Sequence, residues 1–327
     1  MRQILYITLL VTVLFASCSS DDIPGDKQDD KNIEISLSVP NFIVNATTSR
    51  ATRATDAGST AEQQIDNLFI FLFDNTGANP IRYNVTGATF TDGSWSAAEE
   101  KVTLDLTQAE AGTRQVYIVA NYNAGMVTDL GNVTTVTGLQ AVLHSENNPW
   151  SPDIGTPILM SGNATHDFTA NRQLDNVPLT RAVAKLELNI TLKPERQSTP
   201  TIEEGIPGSS GVTVHQYKYK FINFDKNTYV LKPVSKPDDP VSFADWGNWS
   251  ASGKVTSYTL TGGKITALTL TTYLNERDNP GTTTIELSLP YNSGGPLPPP
   301  EFGDETYKLT LPAEIKRNHW YVYDIEI

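Results

Sequence analysis

Cys18 is the only cysteine in the 327 residues, and its setting gives the thiol a task. Residues 1–3 carry one positive charge and residues 4–16 form an apolar run. Phe15-Ala16-Ser17-Cys18 then puts small residues at the two positions before the cysteine. This is the layout of a bacterial lipoprotein signal, in which Cys18 receives acyl chains such as palmitate and becomes the first residue of the mature chain. The apolar run is too short to cross a bilayer as a helix, which takes about 20 residues. Phe15 is bulky where leucine is usual. The competing reading is a secreted protein with a stray thiol, a liability in an oxidising compartment.

Other reactive groups are sparse. The sequence has no H-E-x-x-H, C-x-x-C or G-x-S-x-G, and Gly263-Lys264 lacks both the upstream glycine and the following Ser/Thr of a P-loop. Four histidines, at 144, 166, 215 and 319, are scattered singly, and His319 reads as an ordinary strand residue. Asp21-Asp22 and Asp29-Asp30 read as solvated charges rather than metal ligands. These features predict no catalytic centre, no cofactor and no metal, hence a non-enzyme. Trp246 and Trp249, three apart on a Gly/Asn/Ser-rich stretch, have two readings. They would form a platform for sugar rings if exposed, or cap a β-sandwich core if buried.

Net charge is −13, and removing residues 1–17 takes only Arg2, leaving 23 basic against 37 acidic residues, net −14. An acidic chain without a basic cluster argues against nucleic-acid binding. With Cys18 acylated, no intrachain disulfide is available, so stability must come from cores and strand pairing. Residues 18–32 are polar, acidic and poor in large apolar side chains, which suits a flexible tether. Surface lipoproteins of some Gram-negative bacteria are similar in carrying an acidic stretch just behind the acylated cysteine. That similarity implies the outer face of the outer membrane.

The mature region is rich in Thr, Val, Ile, Leu and Tyr, punctuated by Gly, Asn, Asp and Pro. Apolar residues alternate with polar ones at 33, 35, 37 and 39 and again from 182 to 192, which predicts half-buried strands. Residues 285–289 and 307–311 alternate too. Residues 68–73 and 116–120 are apolar on both faces and predict strands covered on both sides. Only residues 107–111 and 138–145 predict short helical turns. Residues 198–211 and 292–303 predict loops, the second stiffened by its proline run. The expected fold is all-β: two tandem β-sandwich domains with Greek-key-like connections and few short helices. Expected bounds are a signal peptide at 1–17, a tether at 18–32, an N-terminal sandwich at 33–178 and a C-terminal sandwich at 179–327.

Six segments, in order along nearly the whole mature chain, resemble the fimbrillin family, the type V pilins. Ile65-Asp66-Asn67-Leu68-Phe69-Ile70-Phe71-Leu72-Phe73-Asp74, with Gly77 after it, is similar to the family's first core strand. Val116-Tyr117-Ile118-Val119-Ala120-Asn121 is similar to its "vivAN" strand, and Pro157-Ile158-Leu159-Met160-Ser161-Gly162 to its "P-M-S-G" turn. Val177-Pro178-Leu179-Thr180-Arg181-Ala182-Val183-Ala184-Lys185-Leu186 resembles the "L-x-R-x-x-A-K-l" strand opening the second domain. Thr272-Tyr273-Leu274-Asn275-Glu276 is a variant of "Y-x-x-E-N" with its last two residues exchanged. Arg317-Asn318-His319-Trp320-Tyr321-Val322-Tyr323-Asp324-Ile325-Glu326-Ile327 resembles the closing strand.

The resemblance implies a pilus subunit with an adhesive, structural role, exported as a lipoprotein. It implies that an arginine-specific protease removes an N-terminal strand and that a strand from another pilin fills the vacated groove. Residues 33–44 suit the removable strand, with Ile33, Ile35, Leu37 and Val39 pairing against the first sandwich. Arg50 and Arg53, in the small polar stretch after it, are the candidate cleavage points, so that 33–53 is the removable strand and its cleavage loop. The family's stalk subunits carry a donor tail after the closing strand, whereas this sequence stops within that strand. That points to a tip or accessory subunit, with an uncut anchor as the other option. Implied partners are other pilins, the protease, the outer membrane through Cys18 and a receptor on host or bacterial surfaces; the implied location is the outer membrane, then the fimbrium. The reading from a different class is a monomeric surface glycan-binding lipoprotein, resting on Trp246 and Trp249.

Overall fold

The structure is a computed structural model that describes residues 32–46, 54–145, 155–205, 210–235, 237, 239–278, 282–292 and 302–327. Its first half contains β1 (Asn32–Ser38), β2 (Phe42–Ala46), β3 (Thr55–Asp56), β4 (Leu68–Phe73), β5 (Ile81–Val85), β6 (Thr89–Phe90), β7 (Gly93–Ser96), β8 (Lys101–Thr107), β9 (Thr113–Ala120), β10 (Leu143–Ser145), β11 (Met160–Asp167) and β12 (Gln173–Pro178). Among these lie the short helices α1 (Thr60–Gln63), α2 (Gln108–Ala111), α3 (Val127–Asn132) and α4 (Val136–Ala141).

Two five-stranded sheets, β12-β1-β8-β7-β6 and one containing β11-β9-β4-β5, enclose the first core. Leu68, Ile70 and Leu72 of β4 point into that core, beside Ile33, Ile35, Val102, Leu104, Val116 and Ile118. Phe69, Phe71 and Phe73 face the other way and pack with Met126 and Leu130, near or in α3, and with Leu139 in α4. This accounts for an apolar run without alternation: one face meets a sheet and the other meets helices. The three phenylalanines stack along the strand at centroid separations of 4.9 and 5.6 Å.

The second half contains β13 (Thr180–Arg181), which completes the β4 sheet by pairing with β11, and then β14 (Val183–Thr191), β15 (Thr201–Gly205), β16 (Val212–Gln216), β17 (Lys218–Ile222), β18 (Phe224–Asp225), β19 (Asn227–Tyr229), β20 (Pro240–Val241), β21 (Gly247–Asn248), β22 (Thr256–Thr261), β23 (Lys264–Asn275), β24 (Thr284–Asn292), β25 (Phe302–Thr310) and β26 (His319–Glu326). The sheets β22-β23-β14-β26-β2-β3 and β21-β17-β24-β25 enclose the second core. Leu186, Leu188 and Ile190 of β14 meet Leu268, Leu270, Phe221, Ile285, Leu287, Tyr321 and Tyr323 there.

Several expectations are corrected. The stretch 198–211, expected as loop, contains β15, which pairs antiparallel with β16 in a separate two-stranded sheet, Ile202 opposite His215 and Glu203 opposite Val214. The helical turn expected at 138–145 is displaced to Val136–Ala141, capped by the Thr135 hydroxyl, and residues 143–145 instead pair with β19. Helices α1 and α3 were not expected at all, being too short for a period to register. The largest correction concerns residues 33–44, expected to pair with the first sandwich alone. The segment divides: β1 lies in the first sandwich and β2 in the second.

Candidate functional site: the seat of the N-terminal segment

β1 is an inner strand. It runs parallel to β12, with Ile35 opposite Leu174 and Leu37 opposite Val177. It runs antiparallel to β8, with Ile33 opposite Leu104 and Ile35 opposite Val102. Ile33, Ile35 and Leu37 are buried in the first core and Val39 is half-buried against it, as the alternation predicts. On the opposite face, Glu34 accepts a hydrogen bond from Gln173 Nε2 at 2.7 Å, pairs with Arg172 and lies 3.7 Å from Lys101 Nζ. The Gln173 bond, aided by Arg172 and Lys101 and opposed by burial, holds the Glu34 carboxyl below its ordinary value.

Three residues, Val39-Pro40-Asn41, carry the chain from one sandwich to the other. The Pro40 carbonyl accepts from Arg181 Nη1 at 2.7 Å, and the Asn41 carbonyl accepts from Asn318 Nδ2 at 2.8 Å. β2 then runs parallel to β26, with Val44 opposite Trp320, and antiparallel to β3. Phe42 is fully buried. The Arg181 guanidinium carbon lies 4.1 Å from its ring centroid, and the Trp320 ring meets it edge-on at 6.2 Å. Gly58 presses on the same ring: with φ of +78° it holds a conformation that suits glycine, and a Cβ there would stand 2.9 Å from Phe42 Cε2.

Arg181 is fully buried, and the partners its guanidinium finds among the described residues are neutral oxygens. Its guanidinium donates to the carbonyls of Glu62 (2.8 Å), Pro40 and Ala57 (3.1 Å) and to Asn318 Oδ1 (2.8 Å). Burial pulls its pKa down to about 10, against the charge of nearby Glu62, so it remains a cation at neutral pH. Glu62, 1% exposed, ends one capping box and one ion pair together. Oε2 accepts from the Ser59 N–H at 2.6 Å, while Oε1 accepts from Tyr273 Oη at 2.6 Å and lies 2.9 Å from Lys185 Nζ. Lys185 Nζ also stands 4.0 Å from the Trp320 ring centroid. Lys185, Tyr273 and Trp320 are neighbours in register on β14, β23 and β26, which is why one face of that sheet gathers them.

Burial works against the charged form of Glu62, but Tyr273, Ser59 and Lys185 together outweigh it and lower the carboxyl pKa below 4.5. For Tyr273, burial and then its bond to this carboxylate raise the phenol well above its ordinary value. A carboxyl depressed on folding stabilises fully above its unfolded pKa, and that contribution is lost as pH falls through the folded value. Thermal stability should therefore decline as pH drops below about 4.3, with Glu34 acting in the same direction. Thermal melts of the wild type and Glu62→Gln over this range should show a shallower acid decline for the variant. Parallel curves would remove Glu62 from the account.

Residues 182–326 match the family model described as minor fimbrium tip subunit MfA4, C-terminal, and residues 33–210 match that of the major fimbrial subunit protein FimA. The chain is 47% identical over 342 residues to the minor fimbrium tip subunit MfA4 of Porphyromonas gingivalis, covering 100% of this chain and 99% of that protein. This protein is a fimbrillin. It is also 25% identical over 249 residues to the major fimbrium subunit FimC of the same species, covering 75% of this chain and 47% of FimC. The solved structure of the tip fimbrial protein Mfa3 from Porphyromonas gingivalis, with C-terminal truncation, aligns with a TM-score of 0.47 at 14% identity, covering 89% of this chain and 94% of that one.

Of the candidate site residues, Cys18, Arg50 and Arg53 lie outside the described residues of this fimbrillin. Of the two readings open for the tryptophans, Trp249 takes the buried one. Trp249 is 7% exposed, donates Nε1–H to the Ser257 carbonyl at 2.8 Å and packs edge-on against Tyr219 in the second core. Trp246 is half-buried. The residues that sequence reasoning missed are Phe42, Glu62 and Gly58, and the tasks of Arg181, Lys185, Tyr273 and Asn318. A signal for two of them was present. Arg181 and Lys185 both fall opposite the apolar positions of the alternation from 182 to 192, although the structure puts them on different strands, β13 and β14.

The other matched segments also acquire physical reasons. Asn121 takes φ of +60°, and its side chain joins the carbonyls of Gln64 and Ile158 to the Asp66 N–H. At Gly162 a Cβ would stand 2.3 Å from the Pro178 carbonyl oxygen, so only glycine fits. Glu276, fully buried, receives two hydrogen bonds from Arg317.

Proposed function

We propose that this fimbrillin is a tip or accessory subunit of a surface pilus, joined to a neighbouring pilin by exchange of the segment that contains β1 and β2. The observation that carries the reading is the seat of that segment: an inner strand of one sandwich and a paired strand of the other, followed at once by the connection holding Arg50 and Arg53. Full-length similarity to a minor fimbrium tip subunit supports the tip role. A missing strand leaves unpaired backbone groups and bare apolar surface, and an incoming strand repairs both. Burying Ile33, Ile35, Leu37 and Phe42 is worth on the order of 6–12 kcal/mol before entropy, so the segment does not leave unaided. Cutting by an arginine-specific protease frees it for exchange.

In this reading Arg50→Ala combined with Arg53→Ala blocks both cutting and incorporation. Pili purified from a strain carrying the double variant should lack the subunit, by immunoblot. Normal incorporation would overturn the exchange role.

Export as a lipoprotein through Cys18, with passage by way of the outer membrane, belongs to the same proposal. Labelling with a fatty-acid analogue should be lost in Cys18→Ala, and equal labelling of variant and wild type would refute the anchor. The division into two tandem sandwiches near Pro178 is likewise proposed. The two separate cores support it, and limited proteolysis yielding two resistant fragments only after the N-terminal segment is cut would test it.

A further inference from the structure

We infer that the strand entering this subunit must carry an aromatic anchor, because the second part of the seat is a cationic socket shaped around a ring. The inference rests on the exchange reading above and names the chemistry of the partner strand. The first part of the seat is undemanding. Between β8 and β12 it asks for apolar side chains at alternate positions, as Ile33, Ile35 and Leu37 supply, and a one-residue slip would turn them outward. Many strands meet that requirement.

The second part is specific. Phe42, nine residues after Ile33, enters a closed site walled by the Arg181 guanidinium, the Trp320 ring and Gly58, with Lys185 Nζ 6.0 Å from the ring centroid. All four walls follow the 47–53 connection in sequence, so they stay with the body when the segment departs. Both cations already have polar partners that stay too. Lys185 is paired with Glu62, and Arg181 keeps the Glu62 and Ala57 carbonyls and Asn318 Oδ1. Arg181 thus spends its in-plane N–H groups on acceptors of the body and turns its face to the incoming residue, where a carboxylate would lack in-plane donors and a π face adds attraction. Gly58 leaves room for a flat ring and removes the Cβ that would collide with it. The connector before the ring must also offer two backbone carbonyls, in place of those of Pro40 and Asn41, to Arg181 Nη1 and Asn318 Nδ2. The partner strand is thus specified as three alternating apolar residues, a short extended connector and an aromatic residue nine positions after the first.

The test uses the full mature chain with a specific protease recognition sequence placed within 47–53, so that cutting does not depend on Arg50 or Arg53. After cutting, labelled synthetic peptides spanning residues 32–46 compete for the seat. The native peptide should exchange in. Phe42→Ala should bind at least about 100-fold more weakly, from the loss of a buried aromatic side chain. A peptide with a ring-fluorinated phenylalanine at position 42, similar in shape but with a depleted π face, should bind about 2–30-fold more weakly. Equal binding of the native and Phe42→Ala peptides would overturn the anchor while leaving exchange intact. Equal binding of the fluorinated peptide would overturn the cationic character of the socket. Failure of every peptide, native included, would overturn the exchange reading itself.

Discussion

Arg181→Ala is expected to destabilise this fimbrillin by about 3–5 kcal/mol, because four enclosed acceptors lose their donor at once. The side chain is fully buried and joins five separated stretches of chain: the connector at Pro40, the turn at Ala57, α1 at Glu62, its own strand β13 and Asn318 ahead of β26. Alanine leaves three carbonyls and a carboxamide oxygen without their donor, in a space too enclosed for free solvation. Each orphaned group costs about 1–3 kcal/mol. Urea unfolding should report the loss directly, and a thermal scan should fall by roughly 6–20 °C. Arg181→Lys should recover only part, because an ammonium cannot spread over four acceptors held in the plane of a guanidinium. A variant within 1 kcal/mol of wild type would show that the network is dispensable.

Arg317→Ala is expected to have an effect of the same size for a different reason. Glu276 is fully buried at the end of β23, and Arg317 holds both of its oxygens while also donating to the carbonyls of Tyr229 and Val230. Removing the guanidinium strands a carboxylate in an enclosed site, again about 3–5 kcal/mol. The double variant Glu276→Leu with Arg317→Met removes the charge along with its partner. It should be clearly more stable than Arg317→Ala alone, because well-packed apolar replacements of a buried pair are often close to neutral. A double-mutant cycle by urea unfolding measures the coupling. If the double variant is as damaged as the single one, the cost lies in the Tyr229 and Val230 carbonyls, not in the stranded charge.

Much of the seat was legible as pattern and not as place. The alternation of Ile33, Ile35 and Leu37 predicts a strand with one buried face, and β1 has it. Nothing local says that the same segment changes sandwich three residues later. Pro40 marks only a break in the alternation, and Phe42 reads as one more apolar residue. Likewise the run 68–73 predicts burial on both faces, but nothing local says that its second cover is helical, because Met126, Leu130 and Leu139 lie far along the chain and only the stretch around Leu139 reads as a helical turn. For Trp249 the sequence admits two opposed environments, and only packing against Tyr219 and the bond to Ser257 decide for the core.

The sequence by itself determined the strand-rich class, the alternation of the N-terminal segment and, through six ordered motifs, the family. Those are properties of neighbouring residues, where a period of two acts over a few positions. The tertiary structure alone decided what Arg181, Lys185, Glu62, Tyr273 and Asn318 do, since their partners are separated by 119 to 211 residues in the Arg181–Glu62 and Tyr273–Glu62 contacts. A buried guanidinium or carboxylate must find its partners wherever the fold brings them, and the register of β14, β23 and β26, not the spacing of residues along the chain, brings these together around Phe42.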